Sequence, residues 1–285
     1  MKVLVTGGSG FFGQNLIKEL SKSKHLQITC LSRYPQRNYL NVNWIQGDLK
    51  DNDLVANLGE QKFRKLYHLA WDGLPNRSNE FSELNLNNSI RLIENLVTKN
   101  DIELNLFGSC LEYGDLEGCV EDESIPDGMD AFAIAKIQLN QYVKSLGVPY
   151  RWYRPFFVYG FGQHKDALIP SLLRSLKGNK PINIRSLSSS YDFISINDVV
   201  KAIILSSNLN AIMGEINIGT GVLTTVGDIV SAFCKQFNLI FDMDFQRNPG
   251  LVSNSIKLKE ITRWEPEFIG INGIVNYYDK KSELE

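Results

Sequence analysis

Thr6-Gly7-Gly8-Ser9-Gly10-Phe11-Phe12-Gly13 decides the reading of this 285-residue chain. The stretch satisfies both G-x-G-x-x-G (Gly8, Gly10, Gly13) and G-x-x-G-x-x-G (Gly7, Gly10, Gly13). Ahead of it, KVLVT at 2–6 is a β-branched run of strand length. Behind it, Leu16, Ile17 and Leu20 fall on one helical face. Glycine serves three ends in such a turn: it turns sharply, lets backbone approach a pyrophosphate without a Cβ, and lets the helix pack closely on the strand. The helix N-terminus then offers N–H groups to the phosphates. Strand before and helix after is the context this motif requires. Gly7, Ser9, Gly10, Phe11, Phe12 and Gly13 are therefore candidate contacts of a dinucleotide.

Working outward, LQITCLS at 26–32 reads as a second strand, Trp44-Ile45 as part of a third, KLYHLA at 65–70 as a fourth and Leu104 to Phe107 as a fifth. Helical spacing recurs at 86–97, 131–146, 196–206 and 226–237, and strand-like runs at 149–157 and 215–218. Strands alternating with helices through short loops imply an α/β fold, a Rossmann-type doubly wound parallel sheet covered on both faces. The regularity weakens after Gly160. The expected division is a dinucleotide-binding domain over 1–160, re-entered at about 192–218, and a small C-terminal α+β substrate lobe over 161–191 and 219–285.

Composition narrows the function. Hydrophobic residues make up 43% and charged residues 22%, a globular balance that excludes intrinsic disorder. Thirty basic against 32 acidic residues leave a net charge of -2. With no basic stripe, neither nucleic acid nor an anionic membrane is an expected partner. No run of 18 apolar residues occurs, and the apolar run from Val3 stops at Gly7, so neither a spanning helix nor a signal peptide is expected. Cys30, Cys110, Cys119 and Cys234 are not in C-x-x-C spacing, and only three histidines exist, so no metal site is expected. The reading is a reduced, cytoplasmic protein.

Ser32-Arg33, with Arg37 beyond, closes the second strand. An acidic residue there would suit the ribose hydroxyls of NAD. A hydroxyl and a guanidinium suit a 2′-phosphate, so NADP is favoured over NAD.

TGGSGFFG (6–13), GDLKD (47–51), HLAW (68–71), GSCLEYG (108–114), AFAIAK (131–136) and RPFFVYGFGQ (154–163) follow one another in an order and spacing specific to one group. YDFISINDV (191–199) and GEINIGTG (214–221) continue it. The chain resembles the extended short-chain dehydrogenase/reductase family, in the branch acting on nucleotide sugars. The resemblance implies that Asp48 and Leu49 flank the adenine, and that Leu69 and Ala70 line the ribose and pyrophosphate. It implies that Ser109 is the catalytic hydroxyl, that Lys136 is the catalytic lysine holding the nicotinamide ribose, and that Pro155 and Phe156 lie beside the nicotinamide. Trp71 and Cys110 border the substrate, and Arg247 resembles an arginine that clamps a sugar nucleotide's pyrophosphate. A homodimer and a nucleotide-diphosphate sugar substrate follow from the same resemblance.

One departure is large. The family's Tyr-x-x-x-Lys places both side chains on one helical face, and here the first position is Phe132. Phenylalanine has no proton to donate. Either a tyrosine has been replaced to trap a substrate complex, a reading in which Leu284-Glu285 resembles a cloning remnant, or Phe132 is natural and the enzyme is poor or dead. A second departure bears on the reaction. Cys110-Leu111 stand where 4,6-dehydratases carry an Asp-Glu acid–base pair, so elimination of water is not expected. Glu112, one place on, reads most simply as a loop carboxylate. The expected reaction is NADPH-dependent reduction of a nucleotide-linked 4-keto-6-deoxy sugar. The alternatives are a 4-epimerase with tightly bound cofactor, and a non-catalytic NADP-binding sensor if Phe132 is natural.

Overall fold

A computed structural model describes residues 1–35, 39–73, 77–124, 127, 130–241 and 243–282. Arg37 and the Leu284-Glu285 ending lie outside the described residues. The elements run β1 (Lys2–Thr6), α1 (Phe11–Leu20), β2 (Gln27–Ser32), β3 (Val42–Gln46), α2 (Asn52–Gly59), β4 (Lys65–His68), α3 (Asn79–Lys99) and β5 (Glu103–Phe107). Then come β6 (Gly118–Val120), α4 (Ala131–Ser145), β7 (Tyr150–Pro155), β8 (Phe157–Tyr159), α5 (Leu168–Lys177), β9 (Ser190–Ser195), α6 (Ile196–Ser207) and β10 (Gly214–Ile218). The chain closes with β11 (Leu223–Thr225), α7 (Val226–Gln236), β12 (Leu251–Ser253), α8 (Ile256–Thr262) and α9 (Gly270–Ser282).

Seven strands form one sheet in the order β10-β7-β5-β4-β1-β2-β3, and neighbours from β3 through β7 pair in parallel. Strand order reverses between β1 and β4, and ligands of doubly wound sheets bind outside the carboxyl ends at such a switch point. This is the Rossmann-type α/β architecture. The central strands read as apolar runs because both faces are covered: Val3, Leu4 and Val5 have no exposed surface. Leu92, Ile93 and Leu96 of α3, with Leu139 and Val143 of α4, pack on Leu4, Leu66, Leu104 and Leu106 of the sheet.

Two compact units emerge. One comprises Met1–Asp115, Glu123–Arg154 and Ile203–Ile216; the other comprises Leu116–Asp122, Pro155–Ala202 and Asn217–Glu285. The stretch that re-enters the first unit is thus shorter than the expected 192–218. The reason is β9, which lies in the second unit between β8 and β11 rather than in the large sheet. A further pairing in the second unit joins β12 to β6, Leu251 facing Gly118 across about 130 residues of sequence.

Candidate functional site

The glycine turn is built as its spacing implies. Gly7 sits at φ +75°, and a Cβ there would lie 2.6 Å from the Ala70 nitrogen. A Cβ on Gly13 would run into the Gly7 carbonyl oxygen, so only glycine lets α1 approach β1 this closely. Gly10 precedes α1 and supplies no side-chain cap, which leaves the first-turn N–H groups for an anion. A cavity of about 190 Å³ opens beside this turn. Gly7, Ser9, Gly10, Ser32, Arg33, Asp48, Leu49, Leu69, Ala70 and Trp71 all line it. The cradle fits a dinucleotide: glycines where phosphate would approach, helix N–H donors, and carboxylate, hydroxyl and guanidinium groups at the rim. Phe11, Phe12 and Gly13 begin α1, while Phe12 packs edge-on against Phe107 at 6.4 Å between ring centres.

Ser32 Oγ donates to Ser9 Oγ at 2.7 Å, tying the end of β2 to the turn. Arg33 does not stand open. Its two terminal nitrogens donate to the two Asp72 oxygens at 3.0 and 3.1 Å. Burial pushes the Asp72 carboxyl up, but the Arg33 hydrogen bonds and charge, the Gly73 N–H and Lys50 together hold it below its ordinary range. Asp72 is in turn fixed through its backbone: its N–H donates to Asn85 Oδ1 at 2.7 Å, and Asn85 Nδ2 donates to its carbonyl at 2.9 Å. Beneath the cavity, Thr6 Oγ1 and His68 Nδ1 lie 2.7 Å apart, and His68 Nε2 lies 2.8 Å from Ser89 Oγ. Burial, with the Lys136 charge, lowers the His68 pKa to about 3. The imidazole is therefore a neutral strut between β1, β4 and α3.

Asp130 caps α4 by accepting from the Ala133 N–H at 2.8 Å, which sets the register of the helix. Phe132 and Lys136 then lie one turn apart, both buried. Lys136 Nζ donates to the Phe107 carbonyl, the last of β5, at 2.7 Å, and sits 3.7 Å from the centre of the Trp71 ring. Trp71 meets Phe132 edge to face at 5.5 Å. Burial lowers the Lys136 pKa to about 7, opposed by the Glu112 charge. Trp71 thus lines the cavity and covers the lysine. Arg77 lies with its guanidinium 5.6 Å from the Phe132 ring and pairs with Asp130 at 3.0 Å.

Ser109 begins the 3-10 turn Cys110–Tyr113, its Oγ accepting from the Leu111 N–H at 3.2 Å. The turn is held by Glu112, which is no loop carboxylate. Glu112 has no exposed surface. It accepts from the Ser109 N–H at 2.9 Å, from Trp152 Nε1 at 3.1 Å and from Arg154 Nε at 2.7 Å. Arg154 also donates to the Tyr113 hydroxyl at 3.1 Å. Glu112, with Tyr113, Trp152 and Arg154, therefore fixes Ser109 from behind. Asp72 and Glu112 are the two residues that pattern reading missed. A carboxylate within three residues of a candidate hydroxyl was the available signal for Glu112, through its capping-box spacing.

Cys110 is buried, 3% exposed. Pro155 and Phe156 belong to the second unit, where the Phe156 N–H donates to the Ile218 carbonyl at 3.0 Å. Arg247, also in that unit, pairs with both oxygens of Asp228 at 2.8 and 3.1 Å. Among the described residues no cluster of His, Cys, Asp and Glu is arranged to hold a metal, and no helix is long and apolar enough to cross a membrane.

Residues 3–219 match the model of the NAD dependent epimerase/dehydratase family. The GDP-6-deoxy-D-talose 4-dehydrogenase of Aggregatibacter actinomycetemcomitans is 26% identical over 100% of this chain and 99% of its own. The dTDP-4-dehydro-6-deoxyglucose reductase of Escherichia coli is 24% identical, with 95% of each chain covered. Among solved structures, the UDP-glucuronic acid 4-epimerase of Bacillus cereus in complex with UDP-glucuronic acid and NAD superposes with a TM-score of 0.81 over 100% of both chains, at 22% identity.

Proposed function

The chain belongs to the NAD dependent epimerase/dehydratase family, and from that premise we propose that it reduces a nucleotide-linked 4-keto-6-deoxy sugar to the hydroxy sugar with NADPH. The observation that carries the reading is where two side chains meet β5. Ser109 follows the last residue of that strand by two positions, and Lys136 donates to that residue's carbonyl. Both therefore stand at the carboxyl edge of a sheet whose glycine turn and cavity suit a dinucleotide. Relatives named for chemistry at a sugar's position 4 support the substrate class.

A bound reduced nicotinamide would supply the hydride for the ketone carbon, and the overall change would consume one proton: ketone, NADPH and a proton give alcohol and NADP. The chain's residues handle the rest. Ser109 Oγ donates to the ketone oxygen and steadies the charge that develops there. Lys136 would hold the ribose hydroxyls of the bound cofactor. Its pKa near 7 leaves its charge adjustable at neutral pH. A tyrosine at 132 would give the proton to the oxygen. Phe132 cannot, so turnover without that hydroxyl is expected to be slow. Cys110 and Leu111 supply no carboxylate pair, and Glu112 is tied to Arg154, which supports reduction over dehydration.

Arg33, a fork suited to a 2′-phosphate, supports an exchangeable NADPH. The same fork's engagement by Asp72 favours a second reading, a 4-epimerase that keeps NAD bound. Purification separates the two: an epimerase emerges with cofactor and needs none added. A third reading, an NADP-binding sensor, rests on Phe132; it gains if Phe132→Tyr stays inert toward every nucleotide keto sugar while NADPH binds. The proposal includes a cytoplasmic homodimer, and sedimentation tests the dimer.

A further inference from the structure

We propose that Asp72 is a specificity-determining residue of the cofactor cleft: it occupies the Arg33 fork in the geometry that a 2′-phosphate would take, so that NADP binds by exchanging one anion for another. The proposal rests on the cavity beside the glycine turn being the dinucleotide site.

The geometry is that of a replaceable partner. Both terminal nitrogens of Arg33 face the two oxygens of Asp72, at 3.0 and 3.1 Å. A guanidinium fork meets two phosphate oxygens in the same paired way. Both residues line the cavity, with Lys50 and Asp48 also on its wall. Their side chains are 48% and 31% exposed. Exposed ion pairs contribute little net stability, because water and salt compete for both charges. A 2′-phosphate would bring close to two negative charges to the same guanidinium, against one on the carboxylate. NAD carries no such group and leaves the pair closed.

Asp72 is also held so that only its side chain is at stake. Its backbone N–H and carbonyl are both bonded to Asn85 of α3. The Gly73 N–H donates to Asp72 Oδ1 at 2.9 Å, a bond that an asparagine oxygen can keep. Asp72→Asn thus removes a charge without removing the anchor. In the phosphate-bound state the displaced carboxylate remains beside the phosphate and repels it, so its neutralisation favours NADP twice.

The test is titration calorimetry with two probes that need no catalysis, adenosine 2′,5′-bisphosphate and 5′-AMP, followed by NADP and NAD. Asp72→Asn is expected to tighten the 2′-phosphate ligands about three- to tenfold and to leave 5′-AMP and NAD within about twofold. Arg33→Ala is expected to erase the preference for the 2′-phosphate, and Asp72→Asn added to it to do nothing more. An unchanged ratio of NADP to NAD affinity in Asp72→Asn overturns the proposal. So does an equal gain for all four ligands. If the unaltered chain prefers NAD and Asp72→Asn moves it toward NADP, the role of Asp72 stands and the NADPH reading falls. Thermal unfolding of each variant confirms that the fold is intact; should Asp72→Asn fail to fold, Asp72→Ser, which keeps an acceptor for Gly73, carries the same comparison.

Discussion

Removing the charge from Glu112 tests whether the buried cluster behind Ser109 holds the site together. Glu112 has no exposed surface and Arg154 only 1%. Their contact is 2.7 Å. Glu112→Gln keeps the shape but removes the charge that faces the buried Arg154 guanidinium, which also donates to the Tyr113 hydroxyl. Breaking a buried pair from one side costs about 3–5 kcal/mol. The amide also presents an N–H where the Ser109 and Trp152 donors need an acceptor, and an unmatched buried donor costs about 1–3 kcal/mol. Rotation of the amide can relieve part of that second cost, so about 4 kcal/mol is expected in all. At about 2–4 °C per kcal/mol, the midpoint of thermal unfolding should fall by roughly 10 °C. Urea unfolding followed by tryptophan fluorescence measures the loss. In a double-mutant cycle, Arg154→Met added to Glu112→Gln should cost at least about 1 kcal/mol less than the two single losses summed. A single-variant loss under about 1 kcal/mol, or strict additivity, would refute the claim that this pair anchors the turn.

Two further outcomes follow from the same geometry. His68 keeps its imidazole neutral down to about pH 3, whereas in the unfolded chain it takes a proton near its ordinary 6.5. Its contribution is full above pH 6.5 and declines as pH falls toward 3, because the unfolded state then binds the extra proton. The stability advantage over His68→Asn, measured by urea unfolding at pH 7, 6 and 5, should shrink with acid; a constant advantage would sink this reading. Gly13→Ala drives a Cβ into the Gly7 carbonyl and should weaken NADPH binding at least about tenfold, by moving the helix N-terminus off its place. Affinity held within about twofold in a fluorescence titration would mean that the turn tolerates the shift.

Much of this architecture is legible in the residues because burial on both faces writes itself as apolar runs. KVLVT, LQITCLS and KLYHLA meet β1, β2 and β4 within a residue or two at either end. The helix carrying Lys136 is legible too, since Ala131 to Leu146 has helical spacing and α4 ends one residue earlier, at Ser145. What escapes is long-range. Nothing local pairs Gly118–Val120 with Leu251–Ser253, and β9 reads as well for one sheet as for another. The candidate site divides the same way. The glycines, Ser109 and Lys136 stand in a motif with a mechanism, so their spacing is informative. Charges are different: Arg33 reads as a phosphate ligand and Glu112 as a loop carboxylate, and neither reading includes the partners, Asp72 and Arg154, that lie 39 and 42 positions away. A charge's role depends on its counter-charge, and only the fold supplies that. Arg247 is the same lesson in the second unit, its fork taken by Asp228.

The proposed reductase site is complete but for one hydroxyl, the one a tyrosine would carry in place of Phe132. The most direct measurement is NADPH oxidation at 340 nm, by this chain and by Phe132→Tyr, against a panel of nucleotide-linked 4-keto-6-deoxy sugars. Phe132→Tyr is expected to raise turnover on at least one of them by about 10²–10⁴-fold, the usual contribution of a positioned general acid, with NADPH affinity little changed. Equal rates in both proteins, or silence in both while NADPH binds, would contradict it.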